Sequence, residues 1–357
     1  MAYSTISKPS LHFNTKLYSG NSSTQAITGV GFQPDFTWVK ERNAAEHHYL
    51  FDSVRGVTKF MYSNLTNAEA TNANSLTAFG ADGFTLGNYV DVNESGKTYA
   101  SWNWKAGGSS SANTDGTVNT TVSANTTAGF SVVTYTGDGN NDATFGHGLG
   151  AVPRVVVVKT RDNARNWYMR HEDLGSGYNI MWNLTEARIN ASSYNAGIIK
   201  DLNNANTFSI AKSGSTNPTN NNGTGENYVA YCFAEKAGFS KFGSYIGNGN
   251  VDGPFIYTGF KPALIILKKR SQTQSWPIQD NKRNPINNGG NMIASKTDSN
   301  AAEENEASHR IDYLSNGFKM RYNWEGNNQS GQAYIYLAFA EEPLVANVGA
   351  SIPATAR

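Results

Sequence analysis

Hydrophobic residues in this chain fall into two rhythms. In TYASWNW (98–104), NYVAYCF (227–233) and AYIYLAF (333–339), large side chains alternate with small or polar ones. That is period two, a strand with its bulky residues on one face. In VVVVK (155–159) and ALIILK (263–268) the apolar run is unbroken. Such a run reads as a strand covered on both sides, near the middle of a sheet. A 3.6-residue period is almost nowhere sustained. The best local candidates, TNAEATNANS (66–75) and NAAEENEASH (300–309), are short turns of helix or plain loops. The pattern predicts an all-β chain with little helix.

One phrase occurs three times: GFQPDFTWVKER (31–42), LGAVPRVVVVKTR (149–161) and GFKPALIILKKR (259–270). Pro34, Pro153 and Pro262 stand where a strand begins and a missing N–H costs least. Lys40, Lys159 and Lys268, with the arginines after them, are expected to mark where the strand emerges into water. An acidic residue follows each phrase: Asp52, Asp173 and Asp280. Gly-Phe recurs in ADGFTL (81–86) and SNGFKM (315–320), and each stretch closes with one of the alternating strands. Aligned, those strands put Trp102, Tyr231 and Leu337 at one position and Trp104, Phe233 and Phe339 at another. These are expected to be core residues, with Cys232 an inert neighbour.

The order of landmarks predicts three tandem units of about a hundred residues. That is too long for a solenoid repeat and the size of a small domain. Each unit is expected to be an antiparallel β-sandwich or jelly-roll-like domain. The expected division is an N-terminal attachment arm (1–12), repeat 1 (13–106), a low-complexity linker (107–129), repeat 2 (130–237), repeat 3 (238–343) and a C-terminal tail (344–357). The uncharged linker reads as a flexible or extended tether.

Composition narrows the chemistry. Charged residues are 16% of the chain and the net charge is +1, without a basic patch, so nucleic acid is not an expected partner. With Cys232 alone, intrachain disulfides and thiolate zinc sites are excluded. No secretory signal is seen at MAYSTISKPS, and no apolar run is long enough to cross a membrane. His47 and His48 are adjacent, so in a strand they point to opposite faces, while His147 and His171 each stand alone. DGNND (138–142) resembles the start of a calcium loop, but Ala143 occupies the glycine position and Leu149 that of the bidentate acid. A polar hairpin is the simpler reading. Asp52–Arg55 is echoed by Asp280–Arg283, which favours a structural ion pair over a catalytic one. Glu303, Glu304 and Glu306 read as a solvated acidic face. No nucleophile elbow or phosphate loop is found. No cofactor, metal or catalytic residue is expected, and the chain is not expected to be an enzyme. Tyr89, Tyr322 and Trp324 lie among amides and hydroxyls in loops before closing strands. Rings stack on sugar C–H faces and amides bond hydroxyls, so these three are candidate glycan contacts, against the alternative of loop-covering aromatics.

With these motifs laid out, the chain resembles an uncharacterised tandem-repeat domain of tail-fibre-like and other virion proteins of cyanophages and marine phages. STQAITGVGFQPDFTWVKER, FGHGLGAVPRVVVVKTRD, YVAYCFAEKAGFSKFGSYIGNGNVDGPFIYTGFKPALIILKKR and the ending GASIPATAR carry the resemblance over nearly the whole chain. It implies a bacteriophage virion structural protein, a tail or head fibre touching host surface glycans, made in the host cytoplasm. Its expected partners are other virion proteins and host polysaccharide, with a homo-oligomer, trimer favoured. The alternatives are a capsid decoration or adaptor protein that binds only virion proteins, and a polysaccharide-cleaving tailspike. No site residue carries over from the resemblance.

Overall fold

Strand accounts for 47% of the chain and helix for 5%. The computed structural model describes residues 4, 6–190, 198–202, 204–211, 219–287 and 289–343. The expected tail, 344–357, lies outside the described residues, as do residues 1–3 and 5 of the expected arm.

Three large sheets each carry a three-stranded partner. The first runs Phe13–Ser19, Thr98–Trp104, Phe36–Glu41, His48–Asp52, Lys59–Tyr62, Ala70–Thr71 from edge to edge. The third has the same order: Ser240–Ile246, Ala333–Pro343, Phe260–Lys269, Pro277–Asp280, Met292–Lys296, Glu304–Glu306. The second places Phe130–Thr136, Asn227–Phe233, Val155–Thr160, Tyr168–His171, Tyr178–Met181 and Ile189–Asn190 in that order, and adds two strands beyond the first of them. The small sheets are Gln25–Thr28, Gly83–Leu86, Leu76–Gly80; then Ala143–Gly146, Thr207–Ala211, Ile198–Asp201; then Phe255–Tyr257, Gly317–Met320, Ile311–Leu314. All strand pairings within these sheets are antiparallel.

The closing strand sits beside the proline-led strand in one register throughout. Phe36 faces Trp104, Val155 faces Phe233, and Leu264 faces Phe339. Pro34 and Pro153 precede their strands, whereas Pro262 lies inside one, with a register shift on either side that absorbs its missing N–H. Both faces of each large sheet are covered, which is why the apolar runs do not alternate. In the first sheet, Val39, Tyr49 and Tyr99 pack against the small sheet with Phe84 and Leu86. Phe36, Trp38, Trp102 and Trp104 turn the other way, into a core shared with Val157, Tyr231, Leu264 and Phe339. Trp38 meets Trp102 and Trp182 edge-on at 5.4 and 5.0 Å.

Around this core the sheets join in a closed ring. Glu69 N–H donates to Arg161 O (2.7 Å), Arg188 N–H to Arg270 O (3.0 Å) and Glu303 N–H to Arg42 O (2.8 Å). Those three acceptors are the arginines ending the thrice-written phrase. Two of the contacts carry an ion pair as well, Arg161–Glu69 at 2.8 Å and Arg42–Glu303 at 2.7 Å. Deeper in, Tyr231 Oη donates to Asp52 Oδ2 (2.9 Å) and Trp102 Nε1 to Asp280 Oδ2 (3.1 Å). At the third junction His171 Nδ1 accepts the Asp173 N–H, so Nε2 carries the proton and faces Tyr336 O at 3.3 Å.

Several expectations need correction. Lys40, Lys159 and Lys268 do not emerge into water; they are 1%, 0% and 0% exposed. Carbonyls at and just beyond the strand end lack strand partners, and the lysine Nζ supplies their donors; for Lys268 one of the two acceptors comes from the neighbouring sheet pair. Lys159 Nζ bonds Thr160 O (2.9 Å) and Asn163 O (3.0 Å); Lys40 bonds Glu41 O and Ala44 O; Lys268 bonds Thr185 O and Gln274 O. Residues 107–129 are not a tether. Ser111–Asn113 and Thr120–Asn125 are the two added strands of the second sheet, with Thr120 and Val122 buried and Thr121 exposed between them. Ile6 of the expected arm is buried in the shared core. Register puts His171, not Asp173, at the place of Asp52 and Asp280. Glu303 is not a free surface acid but pairs with both Arg42 and Arg283. Of the two segments read as short helical turns or loops, 66–75 adds the two-residue strand Ala70–Thr71, and 300–309 holds the strand Glu304–Glu306 and a 3-10 turn, Ala307–His309.

Candidate functional site

The outward faces of the three small sheets share a frame and differ in what they carry. In the first, Ala26, Thr85 and Ala78 lie side by side. In the second the same row reads Thr144, Ser209, Asp201. In the third it reads Phe255, Lys319, Asp312. One row further along the edge strand, Thr28 and Gly146 give way to Tyr257. Two of these sheets need glycine at the crossing point. A Cβ on Gly83 would stand 1.9 Å from Ile27 O, and one on Gly317 2.1 Å from Ile256 O. Gly317 is also the residue opposite Tyr257, so no side chain stands beside that ring on its own row.

Phe255 and Tyr257 are 45% and 58% exposed, and five of the nine large hydrophobic side chains exposed among the described residues lie between Ile246 and Ile286. One row beyond Phe255, on the side away from Tyr257, opens a hollow of about 450 Å³ walled by Val251, Asp252, Asn287, Arg310, Asp312 and Arg321, while Tyr257 borders a smaller one of about 200 Å³ with Glu235 and Lys241. Asp252 pairs with Lys319 at 2.7 Å and Arg321 at 3.3 Å, and those cations hold its carboxyl below the usual range. Arg321 also reaches Asp312 at 3.2 Å. Arg310 donates to the Gly289 and Arg321 carbonyls.

The three loop aromatics expected to touch glycan are half-buried and do not form one surface. Tyr89 packs on Phe60 and Tyr49, with centroids 5.9 and 6.0 Å away, in the interior of the first sheet pair. Trp324 stands edge-on to His309 at 4.9 Å and lies over Gly326, and Tyr322 follows Arg321 without lining the hollow. Trp102, Trp104, Tyr231, Phe233 and Phe339 are all buried, and Cys232 is buried with its thiol pKa pushed up by burial. Of the histidines, His48, His147 and His171 are buried and their pKa values lowered by that burial. Asp138 closes a polar turn on the Asn140 N–H (2.9 Å) and Asn222 (2.8 Å). Among the described residues no group of three His, Cys, Asp or Glu side chains could hold a metal ion. Asp52–Arg55 and Asp280–Arg283 are fully buried ion pairs. Arg55 completes its bonding with Leu50 O (2.8 Å) and Glu69 (3.2 Å), and Arg283 with Ile278 O (3.0 Å) and Ser295 (2.7 Å).

Reading along the chain missed Phe255 and Tyr257, because GPFIYTGF looks like another buried strand. The signal was in comparison across the phrase: aromatics where the other two stretches have Ala26, Thr28, Thr144 and Gly146.

A family model described as a domain of unknown function, DUF7483, matches residues 8–343. The chain belongs to this family. No curated protein and no solved structure matches it. In this DUF7483 chain the buried charges serve the ring and core, and among the described residues the exposed face that joins aromatic rings with charge is that of the third sheet pair.

Proposed function

We propose that this chain is a structural and attachment protein of a bacteriophage particle, built from three copies of one β module, and that it meets the host surface rather than transforming a substrate. The observation that carries this reading is the division of labour among the three sheet pairs. All three put the arginine that ends the phrase at a junction of one ring, and among the described residues only the third sets exposed aromatic rings beside charge on its outer face. The resemblance to virion proteins supplies the particle. A capsid decoration role is favoured by one feature: the ring closes within a single chain, which suits one copy seated at a threefold point of a shell. Immunogold labelling of gradient-purified particles, with antibody raised against the whole chain, tests both. Labelling at fibre tips or tail supports attachment, and labelling spread over the head supports decoration. Absence of the chain from particles, with the chain present in the infected-cell lysate, overturns both.

A further inference from the structure

We propose that the outer face of the third small sheet binds an acidic glycan, with successive sugars stacked on Tyr257 and Phe255 and the carboxylate of the next in the hollow beyond, toward Arg310 and Arg321. This rests on the attachment reading above and gives it a ligand class and a place.

Phe255 and Tyr257 alternate onto one face of the edge strand, and Gly317 leaves the row of Tyr257 without a neighbouring side chain. Exposed rings beside a flat floor suit the apolar C–H face of a sugar, which needs a surface rather than a pocket. Lys319, opposite Phe255, and Arg321 are two residues apart on the central strand and its continuation, so the charged row lies about 7 Å beyond Phe255 and about 14 Å beyond Tyr257. A short run of sugars in one glycan spans that distance.

The hollow supplies what the rings do not. Its lining balances Arg310 and Arg321 against Asp252 and Asp312, and Lys319, opposite Phe255 and outside the lining, adds a third cation through its pair with Asp252. Asp252 and Asp312 are matched by Lys319 and Arg321. Arg310 has no carboxylate partner among the described residues; Nη1 and Nη2 each give one hydrogen to a main-chain carbonyl, of Gly289 and Arg321, and its Nε is buried, so the remaining Nη hydrogens are what it can offer. One unmatched guanidinium selects for a single anionic group, which it can hold with paired N–H donors. The two carboxylates decide between anions. They accept sugar hydroxyls, and they repel a chain of phosphates. A singly charged polyhydroxyl ligand fits both conditions.

Saturation-transfer NMR on the full chain, with digalacturonate and 3′-sialyllactose as acidic probes and lactose and diacetylchitobiose as neutral ones, tests the site. Transfer to the acidic probes is expected, weakening between 50 and 500 mM salt. Tyr257→Ala is expected to weaken binding about tenfold, the scale of one lost ring contact. Arg310→Gln should abolish the preference for acidic over neutral sugars, and Tyr89→Ala should change nothing. Melting curves of each variant check the fold, and Tyr257, being exposed, gives a folded variant if Arg310→Gln does not. No transfer from any acidic probe at millimolar concentration, equal binding of neutral probes by the unaltered chain, or binding indifferent to Tyr257→Ala overturns the proposal. Particle labelling is independent of these results, so a failed glycan site leaves the virion reading to its own test.

Discussion

Lys159→Met isolates the role of the buried lysines. Burial lowers the Lys159 pKa to about 7 and those of Lys40 and Lys268 to about 8. In the unfolded chain each returns to about 10.4. Between these limits the unfolded state holds more protons than the folded one, so unfolding takes up protons and stability rises with pH. At pH 8 Lys159 is about one-tenth protonated when folded and fully protonated when unfolded, an uptake of about 0.9 proton; Lys40 and Lys268 add about 0.5 each. Cys232 works in the opposite sense above about pH 8.5, where its unfolded thiol ionises and the buried one does not. The clean window is therefore pH 7.5–8.5. Proton uptake on unfolding in urea, read with an indicator dye in weak buffer, is expected to fall by about 0.9 proton in Lys159→Met, equal to a slope lower by about 1.2 kcal/mol per pH unit. The absolute stability is less diagnostic. Methionine removes an amine that is mostly neutral in the fold at pH 8 but leaves Thr160 O and Asn163 O without its donors, at about 1–3 kcal/mol each. An uptake unchanged to within 0.3 proton would show that this lysine is charged in the fold, and the reasoning from burial would fail.

Arg283→Met strands the Asp280 carboxylate, which is wholly buried, with only Trp102 and main-chain donors. A loss of about 3–5 kcal/mol is expected in calorimetry, and Asp280→Asn in the same chain should recover part of it, because the cost lies in the unpaired charge. Gly83→Ala drives a Cβ to 1.9 Å from Ile27 O, whereas Gly56→Ala meets nothing within 4 Å. Hydrogen exchange should show the Gln25–Thr28 pairing lost in the first variant. In the second the strand stays intact, with only the strain of its positive φ, about 1–2 kcal/mol.

Strand content and covered strand faces were legible because period two and unbroken apolar runs are direct consequences of the pleat. The lysines were misread for a physical reason. A sequence shows a charge but not the unpaired carbonyls of the turn beyond it, and those carbonyls make burial tolerable. Residues 107–129 were misread because low complexity masked the alternation of Thr120, Thr121 and Val122, which only a neighbouring strand, Phe130–Thr136, turns into structure. Asp173 matches Asp52 and Asp280 in acidity but not in register, which a sequence does not display and which gives the place to His171.

The charged end of the phrase has its explanation in the ring. Arg42, Arg161 and Arg270 each offer a main-chain carbonyl to the next sheet pair, and two of them add an ion pair. The lysine near the strand end and the arginine past it therefore differ: Lys40 and Lys159 bond carbonyls of their own stretch, Lys268 also reaches Thr185 O across a junction, and the arginines close the ring. The outer small-sheet positions carry little of this load. Ala26 and Phe255 are exposed, and Thr144 joins only an edge contact with Thr117, so the three can differ widely. Function in this architecture is expected where the three stretches disagree, and the largest disagreement at one shared outward row is the one that puts Phe255, Lys319 and Asp312 where the others carry small or weakly polar residues and a single aspartate.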